Sequence, residues 1–452
     1  MTIQFMGNRV KITGLIMFLP KYEIMVLIES FEQRWVYLGK GVQPLNIIHS
    51  SDWHLGRSLY GRKRYEEYKE FLQWLGDLLE EEEIDVLLVA GDVFDNTAPS
   101  NRSQELYYRF LCRVAESSCH HVVITAGNHD SSSFLNAPRE LLRHLHVHIV
   151  GSVGDCVADE VLLLKDAQGE AELIVCAVPY LRDRDIRSVE VGETLEDKDR
   201  KLLEGIRLHY AQACTHAAQI QAQLKSPVPI VAMGHLFAAG GSKVEGDGVR
   251  DLYVGSLAHV GADIFSETID YLALGHLHTP QTVGGIEKYR YSGSPLPMGF
   301  GEANREKTVV KVCLSDGNAK ISSIPVPLFQ VLHSIHGDWE FISEELLRMK
   351  TLQVKAWLEI IYDSDEIIGD LREKLDEAVA ASGLEILRVK NNRSADHSLM
   401  MGEGEILSEL DVKEVFERCL AVYEVPKNQR EELQHAYNEV IENIDMEDWM
   451  AE

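Results

Sequence analysis

Five short segments of this chain end in side chains of the types that bind divalent metals. "LNIIHSSDWHLG" runs apolar from Leu45 to Ile48 and then offers Asp52 and His54; "VLLVAGDVFD" offers Asp92 and Asp95; "HHVVITAGNHD" offers Asn128, His129 and Asp130. "PIVAMGH" closes at His235, and "DYLALGHLH" at His276 and His278. Carboxylate, imidazole and amide oxygen suit manganese, iron, zinc or magnesium, and no clustered Cys offers a thiolate site. Each ending has a bland explanation, since Asp after a strand also serves as a turn former or helix N-cap. Five independent endings of one chemical kind are much harder to explain that way.

The elements that must position these groups read as buried strands. Short Val, Ile and Leu runs closed by Gly or Ser fit a sheet covered on both faces. Between the first three lie helical patterns: Phe71, Leu72, Leu75, Leu78 and Leu79 recur at helical spacing, as do Leu106, Tyr107, Phe110, Leu111 and Val114. That βαβ alternation gathers functional groups beyond the carboxyl ends of the strands, on one rim.

In this order, Asp-x-His, Gly-Asp-x-x-Asp, Gly-Asn-His-Asp, Gly-His and Gly-His-x-His resemble the calcineurin-like metallophosphoesterases. "SDWHLG", "GDVFD", "GNHDS", "VPYLRDRD", "VRDLYVGSL" and "LGHLHTPQ" with "YRYSGSPLPMGF" further resemble the SbcD family of nuclease subunits, from about Leu45 to near the C-terminus. The resemblance implies an α/β fold, a β-sandwich flanked by helices, with a small α+β capping domain and C-terminal helices. It implies that Asp52, His54, Asp92 and His278 hold one metal and Asp92, Asn128, His235 and His276 a second, with Asp92 bridging two ions, most readily Mn²⁺. Two such ions lower the pKa of a shared water and stabilise an in-line displacement at phosphorus. His129 would then serve the departing oxygen, oriented by Asp95, with Asp130 as the competing orienter. The partners implied are the SbcC ATPase and DNA with double-strand ends or hairpins, in a heterotetramer containing a homodimer. A phosphomonoesterase or cyclic-nucleotide phosphodiesterase of the same superfamily, or a scaffold without chemistry, are the rival readings.

Composition sets bounds. With 452 residues, 45% of them apolar, the chain can bury a sizeable core in two or three domains. Seven Cys without C-x-x-C spacing read as reduced thiols of a cytoplasmic protein. No apolar run reaches the length of a membrane span. The net charge of −28 is awkward for a DNA enzyme, but residues 331–452 carry 29 acids against 12 bases and so hold most of it. Arg57, Arg62, Lys63 and Arg64 follow His54 closely; they either line the approach of DNA to the metals or form a solvated loop.

Four segments follow: residues 1–44, an extension that a start near Val42 would remove; 45–325, the nuclease domain with a Gly-rich excursion at "AAGGSKVEGDGVRD"; 326–402, the cap, with strands "VKAWLEIIYD" and "LEILRVK" around a helix; and 403–452, two helices. In the last helix Leu433, Tyr437, Val440, Ile441 and Ile444 fall on one stripe. It docks either on a partner helix or on this chain's own preceding helix.

Overall fold

Alternating and continuous apolar runs set the architecture. The computed structural model describes residues 44–186, 193–238, 260–315, 317–364, 368 and 370–391, with the backbone of short strands between residues 2 and 40. The Gly-rich excursion, from residue 239 on, and the stripe Leu433, Tyr437, Val440, Ile441 and Ile444 lie outside the described residues.

The first sheet is built from β1 (Leu45–Ser50), β2 (Val86–Ala90), β3 (His121–Thr125) and β4 (Val147–Val150), all parallel, with α1 (Tyr65–Glu81) and α2 (Asn101–Ala115) as crossovers. The second carries β5 (Val161–Lys165), β6 (Ala171–Ala177), β7 (Ile230–His235), β8 (Tyr271–Gly275), β9 (Gln281–Val283) and β10 (Ile286–Tyr291). β11 (Thr308–Ser315) and β12 (Asn318–Pro325) return to the first sheet beside β1. The orders are β4-β3-β2-β1-β11-β12 and β5-β6-β7-β8-β10-β9.

Period-2 alternation places each strand's two faces in different cores. Val86, Leu88 and Ala90 of β2 meet Leu173, Val175, Met233 and Tyr271 between the sheets. Leu87 and Val89 face outward onto Phe71, Leu75 and Leu79 of α1 and Phe110, Leu111 and Val114 of α2. The helix faces read from sequence are therefore the buried ones. A 29-residue helix, α3 (Leu195–Gln223), covers the second sheet through Leu202, Ile206, Tyr210 and Ala213. Its start is marked by a capping box between Thr194 and Asp197. Among the described residues no helix is long and apolar enough to cross a membrane.

The backbone divides between Gln330 and Val331, just past the expected boundary at 325. The second unit is a parallel three-stranded sheet of β13 (Val331–Gly337), β14 (Ala356–Tyr362) and β15 (Leu384–Asn391), with α4 (Trp339–Thr351) and α5 (Leu371–Val379). Its core joins Ile335, Ile342, Leu346, Leu358, Ile360 and Leu375. Sequence reading found β14, α5 and β15 but missed β13 and α4. In β13 the apolar residues are Val331, Leu332 and Ile335, a spacing closer to a helix than to a strand.

Candidate dinuclear metal centre

Five parallel strands deliver the candidate ligands from their carboxyl ends. β1 leads to Asp52 and His54, β2 to Asp92, β3 to Asn128 and His129, β7 to His235, and β8 to His276 and His278. The sandwich thus supplies three segments from one sheet and two from the other. Gly91 sits at φ +82°, and a side chain there would strike the His235 ring, so the turn after β2 requires glycine to bring Asp92 in. Asp52, His54, Asp92 and His276 themselves have positive φ. Non-glycine residues in that region cost of order 1–3 kcal/mol each and persist where the surroundings over-determine them, which they do at functional sites.

The side chains converge. Asp92 Oδ2 lies 3.3 Å from His235 Nε2 and 3.6 Å from His54 Nε2, so one carboxylate stands between two imidazoles. His54 Nε2 is 3.2 Å from His278 Nε2, and His235 Nε2 is 3.0 Å from Asn128 Oδ1. The His276 ring stands 5.4 Å from that of His235. Asp52, His54 and His278 form one cluster of potential ligand atoms, and Asp52, Asp92 and His235 another, so Asp52 reaches both. Asp52 also accepts hydrogen bonds from the backbone N–H of His276 (3.0 Å) and from the Ser51 hydroxyl (2.5 Å), which in turn meets Ser292 at 2.9 Å. His235 Nδ1 donates to the carbonyl of Ala90 at 3.0 Å, leaving Nε2 toward the cluster.

Electrostatics favour cations here. Burial pushes the Asp52 carboxyl up to about 6, even though His235 and His54 pull against it. Burial also opposes the charge of Asp92, but His235, His54 and His129 hold it well below the usual carboxylate range. His235, which burial alone would lower, is raised to about 9 by Asp92 and then Asp52. Buried acids whose charge burial opposes, ringed by imidazole nitrogens and an amide oxygen, fit a pair of hard to borderline divalent ions.

His129 lies beside this cluster, its ring 4.7 Å from that of His54 and its backbone N–H donating to Asp92 Oδ1 at 2.8 Å. Its Nδ1 faces the main-chain carbonyl of Asp95 at 2.8 Å, which assigns the proton to Nδ1. The Asp95 carboxylate also shares a cluster of potential ligand atoms with His129 and His54. That carboxylate faces His54 Nδ1 at 3.5 Å and Arg57 at 3.4 Å. Partial burial opposes its charge, yet His54 and Arg57 hold it below the usual range. Asp130, the competing orienter, accepts from the backbone N–H groups of Val93, Phe94 and Gly127 at 3.1, 2.9 and 2.9 Å. It braces the turn after β2 against the turn after β3.

The four basic residues after His54 separate. Arg62 and Lys63 are exposed on a two-residue hairpin strand paired with Ser58–Leu59. Arg57 is half-buried against Asp95 and the Met298 carbonyl. Arg64 does not line an approach: it is 2% exposed and forks onto Glu67 at 2.7 and 3.0 Å while donating to the Pro297 carbonyl. Sequence reasoning missed the Ser51 and Ser292 hydroxyls and the buried Lys307 and Glu302 behind His278; the stretch "YSGSPLPMGF" was the signal available.

The fold agrees with what the chain is similar to. Residues 45–280 match the family model of calcineurin-like phosphoesterases, and residues 328–423 that of the type 5 capsule protein repressor C-terminal domain. The SbcD component of the SbcCD nuclease of Escherichia coli K12 is 35% identical over 404 residues, spanning 88% of this chain and 98% of that one. The SbcD of Rhodobacter capsulatus is 36% identical over 289 residues, 63% and 69% of the two chains. That of Bacillus subtilis is 32% identical over 276 residues, 60% and 67%.

Proposed function

Since the chain belongs to the SbcD family of calcineurin-like phosphoesterases, we propose that it is the nuclease component of a complex with an SbcC-type ATPase and hydrolyses DNA phosphodiesters. Its substrates are double-strand ends, digested 3′ to 5′, and hairpins or single strands cut internally, in cytoplasmic DNA repair, recombination and replication. The assembly is a heterotetramer containing a homodimer, and the metals are two Mn²⁺ ions.

The position of Asp92 carries the reading. A carboxylate has two oxygens and can serve two cations, and this one lies within 3.6 Å of an imidazole from each cluster. When bound, a pair of divalent ions supplies an activated water and stabilises charge at phosphorus. The chain's own groups do the rest. Asp52 and Asp92 would supply the negative charge that retains the ions, and Asn128 with His54, His235, His276 and His278 would complete their ligands. His129, with its Nδ1 proton held by the Asp95 carbonyl, presents Nε2 to take a second proton and deliver it to the leaving sugar oxygen. Arg62 and Lys63, exposed on their hairpin, meet phosphates.

The reading is tested with purified protein, SbcC, Mn²⁺ and ATP acting on a labelled DNA hairpin and on a chromogenic phosphomonoester. Cleavage of the hairpin alone supports it. Preferential turnover of the monoester assigns the rival phosphatase reading, and inertness toward both assigns a scaffold.

A further inference from the structure

The buried ion pair behind His278 has no role in the chemistry described above. Lys307 and Glu302 are 5% and 0% exposed and meet at 2.8 Å. An ammonium has three donors, and here three buried acceptors receive them: Glu302 Oε2, the hydroxyl of Ser294 at 2.9 Å, and the main-chain carbonyl of His278 at 3.0 Å. The same His278 carbonyl accepts from the Ser294 N–H at 3.1 Å, so both of its lone pairs are used. Ser294 donates its own hydroxyl proton to the Leu296 carbonyl at 2.9 Å, and Glu302 Oε2 accepts from the Met298 N–H at 2.7 Å. The turn from 293 to 302 is thereby closed against the back of His278. Gly293 makes the approach possible: at φ +76°, a Cβ there would lie 2.8 Å from the His278 oxygen and 2.7 Å from Pro280.

The two histidines of the Gly-His-x-His turn are consequently pinned from opposite sides. His276 is held by its N–H on Asp52, itself a candidate ligand, and His278 by its carbonyl on Lys307 and Ser294. A buried charge pair is weak as a source of stability, because desolvation offsets its attraction. As a rigid anchor it is effective, since groups around a metal must be held within about half an ångström of their working geometry.

Resting on the reading of His278 as a metal ligand, we propose that Lys307 is a positioning residue: with Glu302 and Ser294 it clamps the His278 main chain and so sets the affinity of the metal that His278 binds.

The test is direct titration of metal-free full-length protein with Mn²⁺ against a chelating dye, giving the number of equivalents and their affinities. Lys307→Met with Glu302→Gln removes both charges together, so no lone buried ion remains. This double variant should bind one equivalent as the unaltered protein does and the other roughly 10–100-fold more weakly, the range for loss of groups that hold metal ligands. Raising Mn²⁺ should restore most of the turnover, so that the metal concentration for half-maximal rate moves and kcat largely does not. Ser294→Ala, a gentler change, should weaken the same equivalent by a smaller factor and serves if the double variant does not fold. His278→Asn is the control and should lose that equivalent. Normal affinities in both test variants, with loss in His278→Asn, overturn the clamp alone. Two normal equivalents in His278→Asn overturn the reading of the metal site itself.

Discussion

Replacing Asp130 should cost stability before it costs chemistry. Its carboxylate, 3% exposed, accepts three backbone N–H bonds, from Val93, Phe94 and Gly127. Asp130→Ala leaves three buried donors without an acceptor. Each such group costs about 1–3 kcal/mol, and relaxation keeps the sum near the low end, so the loss is about 3 kcal/mol or more. For a domain of this size that corresponds to a fall in Tm of roughly 5 °C. Asp130→Asn keeps one accepting oxygen and turns an NH₂ toward the remaining donors, for a loss of about 1–3 kcal/mol. Calorimetry in the presence of a chelator is the suitable assay, because bound metal would mask part of the change. Activity should fall in the same order as stability, since Val93 adjoins Asp92 and Gly127 adjoins Asn128. An Asp130→Ala protein that unfolds like the parent yet cannot turn over substrate would refute the bracing role and restore Asp130 as a catalytic candidate.

Metal binding at pH 7.5 should release about one proton, because His235, raised to about 9 by Asp92 and Asp52, is charged when no cation is present. A histidine raised from 6.5 stabilises the metal-free protein fully below that pH and loses the contribution as pH climbs through about 9; over the same window metal affinity should rise. Calorimetric Mn²⁺ titration in buffers of different protonation enthalpy reads the proton, and a buffer-independent heat would contradict it. His129→Ala should keep both metals and lose roughly two to four orders of magnitude in turnover; an emptied metal site would instead make His129 a ligand. Arg62→Ala with Lys63→Ala should weaken DNA binding and lower its salt slope by roughly 1–2 with the fold unchanged. Arg64→Ala should leave that slope alone and lose about 3–5 kcal/mol, since it strands the buried Glu67 carboxylate; equal effects on the slope would erase the distinction.

The strands were legible because burial on both faces forces unbroken aliphatic runs, as in "VLLVA", and the ligands because the ends of parallel strands collect on one rim. What stayed hidden depends on contacts remote in sequence or on the main chain. Arg64 reads as one more cation after His54 until the Pro297 carbonyl and Glu67 enclose it; only the three-residue spacing to Glu67 hinted at a pair. No pattern of side chains could show that Asp95 meets His129 Nδ1 with its main-chain carbonyl. Lys307 lies 29 residues beyond the His278 oxygen it holds. β13 was missed because its neighbours β14 and α4 supply the burial that its own three apolar residues do not announce.

The central claim is that Asp92 serves two cations at once. Anomalous diffraction from crystals grown with Mn²⁺ tests it without recourse to activity. The account predicts two anomalous peaks about 3.5–4 Å apart, one among Asp52, His54 and His278, the other among Asn128, His235 and His276, with the Asp92 carboxylate between them. A single peak, or a pair that Asp92 does not touch, would contradict it.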